Sequence, residues 1–269
     1  MSLIAGLAVT AAWNAVVFFG LWRLSLRLRN ASIVDVYWGP GFAAIAAIAW
    51  AASPGPGRRG ALLLAMTALW GLRLGAYLGW RNRGKGEDPR YAAMRRHHGE
   101  RFGRVSGYSV FALQALLMWI VSLPVQAALL APGAAALGAL DVLGVGLWAA
   151  GLFFEAVGDW QLARFKAEPA NRGRVMDRGL WRYTRHPNYF GDCCIWWAFF
   201  LFAAAGGGWW SFVGPLLMSF LLLRVSGVAL LEKDIGQRRP GYRDYVLRTN
   251  AFFPGPPKRG AQTSEGGAA

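Results

Sequence analysis

Seven apolar stretches, each about as long as the ~17 to 25 residues a helix needs to cross a ~30 Å hydrocarbon core, punctuate this chain. They run Leu3 to Trp22, Ile33 to Ala52, Ala61 to Trp80, Val110 to Ala131, Val142 to Trp160, Tyr189 to Ala205 and Trp209 to Leu231. Backbone groups inside lipid have no water to bond, so a segment of this length satisfies itself as a helix. The expected fold is therefore all-α, a polytopic membrane protein built as a seven-transmembrane-helix bundle. Composition agrees: of 269 residues, 55% are hydrophobic and only 16% charged, too apolar for an ordinary soluble domain. No linker divides the chain, which reads as one domain over 1–253 followed by a Pro- and Gly-rich tail, 254–269, expected to be disordered. Met1 to Trp22 lacks a basic n-region and reads as a retained helix rather than a leader.

A net charge of +15 raises the question of nucleic acid, because clustered Lys and Arg neutralise phosphates. The distribution argues against it. Three basic residues follow the first stretch, eight separate the third from the fourth, seven separate the fifth from the sixth, and seven follow the last, so 25 of the 29 fall on one side. The opposite side has only Arg58 and Arg59. Positive-inside bias then places the C-terminus in the cytoplasm and the N-terminus outside. Adjacent Cys193 and Cys194 make no disulfide framework, and His97, His98 and His186 are too few and scattered for a metal site, so no metal is expected. "GPGRRG" at Gly55 to Gly60 fits a dinucleotide-binding pattern only by chance, since it follows an apolar stretch rather than a strand.

Ionisable residues inside the apolar stretches cost about 2.5 to 3.5 kcal/mol each at mid-depth and so mark function or pairing. Asp35 begins the second stretch, Arg73 lies in the third, Glu155 and Asp159 end the fifth, Asp192 begins the sixth, and Arg224 and Glu232 bracket the end of the seventh. All fall in the cytoplasmic half. Glu155 and Asp159 are one helical turn apart, as are Asn188 and Asp192, so each pair lines one face. Together they describe a polar cavity open to the cytoplasm. Lys166, Arg172, Arg174, Arg178, Arg182 and Arg185 form a basic rim suited to a phosphorylated or carboxylated ligand, or to anionic lipid.

"RGLWRYTRHPNYFGD" (Arg178 to Asp192) followed by "LEKDIGQRRPGYRDYVLRTNAFFP" (Leu231 to Pro254) resembles the C-terminal half of the steroid 5-alpha-reductase family and its bacterial relatives. "NASIVDVYWGPGF" (Asn30 to Phe42) and "WRNRGKGEDPRY" (Trp80 to Tyr91) resemble the N-terminal half of the bacterial members. Isoprenylcysteine and phospholipid methyltransferases share the "RHPNY" and "EK" parts, so a membrane methyltransferase using S-adenosylmethionine is the alternative. The resemblance implies a seven-helix bundle holding NADPH at its cytoplasmic ends, in a bacterial inner membrane. Matched residue by residue, it implies that Asp159, Arg174, Asn188, Asp192 and Arg224 contact the cofactor, with Glu155, Lys166 and Glu232 standing where the eukaryotic pattern has other residue types.

The similar enzymes reduce the carbon–carbon double bond of a conjugated 3-oxo-4-ene, with hydride passing to the β-carbon while negative charge develops on the carbonyl oxygen. A hydrogen-bond donor aimed at that oxygen lowers the barrier, most effectively where water is excluded. The resemblance assigns this role to Asp35 and Tyr77, with Tyr37 as the substitute for Tyr77. The implied partners are a small hydrophobic steroid-like enone and membrane lipid.

Overall fold

The computed structural model describes residues 1–53, 55, 57–131, 136–225 and 241–258, and every regular element among them is helical. We label the α-helices α1 (Leu3–Leu28), α2 (Ile33–Ala52), α3 (Arg58–Asn82), α4 (Pro89–His98), α5 (Phe102–Ser106), α6 (Leu113–Val121), α7 (Leu123–Leu130), α8 (Ala139–Ala167), α9 (Pro187–Ala205), α10 (Val213–Phe220) and α11 (Tyr242–Arg248). Five helical stretches are long and apolar enough to cross a membrane: α1, α2, α3, the run Pro89–Val121, and α8. Trp209–Val225 is a shorter apolar helix. These helices mark an integral membrane protein. Glu232 lies outside the described residues, as does most of the tail.

The chain divides into two compact units, Met1–Gly144 with Phe199–Pro215, and Val145–Ala198 with Leu216–Ala269. In the first unit, α2 and α3 pack most intimately, and small residues are the reason. A Cβ at Gly39 would run into the Gly71 carbonyl oxygen, and one at Gly71 into the Gly39 carbonyl, so the two backbones touch where neither has a side chain. Pro40 sits inside α2 and cannot donate to the preceding turn. Its ring rests on Gly75, where an added Cβ would stand 2.6 Å from the Pro40 Cδ. Lipid offers no hydrophobic drive between helices, so this close approach of small residues supplies the dispersion contacts instead.

At the opposite end of α3, Arg59 reaches Asp141 near the start of α8 through two parallel bonds, Nε to Oδ1 at 2.7 Å and Nη2 to Oδ2 at 2.8 Å. The Asp141 Oδ2 also accepts from the Gly138 amide at 2.8 Å, which caps the entry to α8. Two helix starts joined by one ion pair lie at the same end of the unit. A second buried polar cluster joins α1 to α7: Gln126, fully buried, meets the Thr10 hydroxyl through its Oε1, and its Nε2 donates to the Ser122 hydroxyl at 2.7 Å.

In the second unit, α8 and α9 meet at Gly151 and Gly191, where a Cβ on Gly151 would stand 2.6 Å from the Gly191 carbonyl oxygen. Phe154 and Phe190 pack edge to face beside them at 5.0 Å. The segment after α8 folds back onto that helix: Gln161 Oε1 accepts from the Leu180 amide at 3.0 Å, and the Trp181 indole donates to the Gly158 carbonyl at 3.0 Å. Gly179, at φ +58, is where this turn needs a left-handed residue with no side chain.

Gly39→Ala is expected to destabilise the protein by about 1 to 3 kcal/mol, because the added methyl must push two backbones apart. Gly20→Ala, where nothing lies within 4 Å, is expected to be neutral or slightly stabilising. Thermal unfolding of both variants in detergent micelles checks the contrast.

Candidate functional site

Asp35 occupies the first turn of α2, and both of its carboxylate oxygens are engaged. Arg90 Nη2 donates to Oδ2 at 2.9 Å, and the Tyr91 hydroxyl donates to Oδ1 at 2.8 Å. Tyr91 in turn accepts from Gln114 Nε2 at 3.1 Å, and Gln114 Oε1 accepts from the Trp38 indole at 2.6 Å. Five side chains from α2, α4 and α6 thus form one bonded path. Its donors and acceptors match at every step, as a polar group inside a membrane segment requires.

The loop before α4 docks onto the start of α2 by the same logic. Glu87 Oε1 accepts from the Ala31 amide at 2.7 Å while Arg95 grips both carboxylate oxygens, at 2.7 and 2.9 Å. The Asp88 amide donates to the Ser32 hydroxyl at 2.7 Å, and the Asp88 carboxylate caps α4 through the Arg90 amide, with Pro89 at the first helical position. The segments "NASIVD" and "EDPRY" are therefore two halves of one interface. The Arg95 guanidinium and the Ala31 amide outweigh burial and hold Glu87 below its ordinary carboxylate range. Burial pushes Asp88 the other way, but its bonds to Arg90 win and keep it low as well.

Of the tyrosines read from the sequence, Tyr77 packs on Trp80 at 6.0 Å and under the Arg81 guanidinium at 5.9 Å, while Tyr37 meets Phe18 edge to face at 5.6 Å. The phenol bonded to Asp35 is Tyr91, which sequence reading passed over although Asp88 and Pro89 announce a helix start directly before it.

In the second unit, the α8–α9 contact brings three of the sequence-derived residues together. Asn188 Nδ2 donates to Asp159 Oδ1 at 3.2 Å, and Gly191 lies against the backbone of Glu155. Glu155 and Asp159 are buried, and Asp192 follows Asn188 by one turn on the same face of α9. A Cβ on Gly158 would stand 3.1 Å from the Pro187 Cγ, so the missing side chain lets the first turn of α9 come close to α8. Lys166, Arg174 and Arg224 are exposed. Arg174 lines a cavity of about 300 Å³ together with Phe165, Asn171, Arg178, Asp244 and Arg248. Arg224 sits in a π-helical turn, Leu221–Val225, a geometry found disproportionately at functional positions.

The arginine of "RHPNY" has a different task. Arg185 is buried, and its Nη1 donates to the Thr249 carbonyl at 2.8 Å while its amide donates to the Asn250 carbonyl at 2.9 Å. The Thr184 hydroxyl bonds the Phe252 carbonyl at 2.7 Å, and the Gly255 amide reaches back to Tyr183 at 3.1 Å. Residues 249–255 are stitched along the approach to α9, and Phe252 and Phe253 close on Phe190. Arg185 thus leaves the basic rim and becomes the peg of this clasp.

The amide and carboxylates on these facing helices can bond hydroxyl or carboxamide groups, and Lys166 in the last turn of α8 and Arg174 in the segment after it carry charges that can meet phosphates. A family model described as "Protein of unknown function (DUF1295)" matches residues 21–249. No curated protein and no solved structure matches the chain.

Because the folded Glu87 stays ionised to lower pH than its unfolded counterpart, its stabilisation is complete above the usual carboxylate pKa of ~4.3 and is lost as acid carries the pH through the folded value. Glu87→Gln is expected to unfold at lower temperature than the parent near pH ~7, with the gap narrowing as acid carries the pH below the ordinary carboxylate range. A gap that does not change with pH contradicts this reading.

Proposed function

The chain belongs to the DUF1295 family, and we propose that it is a membrane-embedded, NADPH-dependent reductase of the carbon–carbon double bond of a conjugated, steroid-like 3-oxo-4-ene. The observation that carries the proposal is the bond between Asn188 and Asp159, which joins two residues that the resemblance assigns to the cofactor and that come from separate helices. On this reading Pro187–Ala205 and Trp209–Val225 complete a seven-span bundle in a bacterial inner membrane, with the N-terminus outside and the C-terminus in the cytoplasm.

When bound, NADPH supplies a hydride to the β-carbon of the enone. The protein's own residues do the rest. Asn188, Asp159, Asp192 and Glu155 take up hydroxyl and amide groups of the cofactor, and Arg174, Lys166 and Arg224 take up its phosphates. Glu232, outside the described residues, keeps its assigned place among them. The enone carbonyl gathers negative charge as its double bond is lost, and a proton from solvent completes the saturated ketone. The resemblance assigns the polarising role to Asp35 and Tyr77. As a carboxylate Asp35 only accepts, so it acts through the donors it orients, the Arg90 guanidinium and the Tyr91 hydroxyl, whose charge and dipole oppose the developing negative charge.

Purified protein in detergent, given NADPH and a panel of conjugated ketones, is expected to consume NADPH and release products two hydrogens heavier. Asp35→Asn is expected to lower turnover about 100-fold or more while leaving NADPH affinity nearly unchanged. Absence of NADPH consumption with every ketone, together with methyl transfer from S-adenosylmethionine to a prenylated thiol or phospholipid amine, would favour the methyltransferase reading instead.

A further inference from the structure

Within the first unit, α1 and the run Gly107–Trp119 enclose a cavity of about 530 Å³, in the size range of small-molecule sites. Phe18, Trp22, Phe111 and Trp119 form its walls, and small residues such as Ala11 and Ala115 make the room. Ala15, Phe19, Ala112 and Leu116 at its edge are exposed, and all lie in membrane-crossing segments, so the opening faces hydrocarbon. The wall at Gly107–Ala112 is π-helical, a wide turn that costs stability and accumulates at functional places. Gly107 lets the Trp22 indole lie close, where a Cβ would stand 3.1 Å from it, and Trp22 is fixed by donating to the Gly103 carbonyl at 2.9 Å.

One polar side chain lines this greasy space. Asn14 is 2% exposed, near the middle of α1, and its Nδ2 donates to the Ala115 carbonyl at 2.7 Å. Its Oδ1 is buried and has no hydrogen-bond partner among the described residues. The Ala115 bond fixes which way the amide points, because turning it would set two oxygens against each other. The unmet need is thus for a donor, at a depth where water is scarce and an unbonded amide oxygen is costly.

We propose that this groove binds an apolar membrane molecule carrying a single hydroxyl group, a long-chain alcohol, whose O–H donates to Asn14 Oδ1 while its chain lies between the Trp22 and Trp119 walls. The cavity takes the apolar body, and the orphan acceptor selects the hydroxyl. This site stands apart from the reductase reading and does not depend on it.

The test uses the full-length protein in detergent and two photoreactive probes, hexadecanol bearing a diazirine in its chain and the methyl ether of the same molecule. The alcohol is expected to label peptides of α1 and of Gly107–Trp119 saturably, with about fivefold higher affinity than the ether, the worth of one hydrogen bond. Asn14→Leu is expected to bring the alcohol down to the level of the ether. The comparison of the two probes on the unaltered protein stands whether or not the variant folds. Equal affinity for alcohol and ether, or labelling spread over lipid-facing helices without saturation, overturns the proposal.

Discussion

A polar group carried into a hydrocarbon layer has to find its partner within the protein, and this requirement shapes both units. In the first unit it turns a carboxylate on α2 into the end of a path through Arg90, Tyr91, Gln114 and Trp38. In the second it sets Asn188 of α9 on Asp159 of α8. Close backbone approach comes from glycines, Gly39 with Gly71 at the α2–α3 contact and Gly151 with Gly191 at the α8–α9 contact. Small residues let the helices meet, and the polar groups then register them.

The same requirement accounts for residues that hold each unit together. Arg59 and Asp141 satisfy one another in a bidentate pair and need nothing further. Arg185 is consumed by carbonyls of the C-terminal clasp. The clasp in turn sets the approach to α9, where Asn188 and Asp192 stand.

Much of this was legible from hydropathy alone. Ile33 to Ala52 is the helix observed, because there the apolar run and the hydrogen-bonded run coincide. Elsewhere the helices outlast the apolar stretch: α1 continues from Trp22 to Leu28 and α8 from Trp160 to Ala167, through basic residues that suit a helix as well as they suit the interface. Hydropathy measures the bilayer, whereas hydrogen bonding measures the helix. The stretch from Val110 to Ala131 is interrupted at Ser122, just ahead of Pro124, which cannot continue the donor ladder. The alignment of Glu155 and Asp159 with Asn188 followed from helical period plus one tertiary contact. What periodicity could not supply was pairing between distant segments. That "NASIVD" binds "EDPRY" depends on side chains more than fifty residues apart, and no local pattern carries that information.

The central claim is that the polar faces of α8 and α9 hold a nicotinamide dinucleotide. Titration of the purified protein with NADPH, followed by nicotinamide fluorescence, tests it most directly. The account expects saturable binding that Asn188→Leu and Arg174→Ala each weaken, with Asp35→Asn leaving it in place. Failure of NADPH to bind, or binding indifferent to both Asn188 and Arg174, would contradict it.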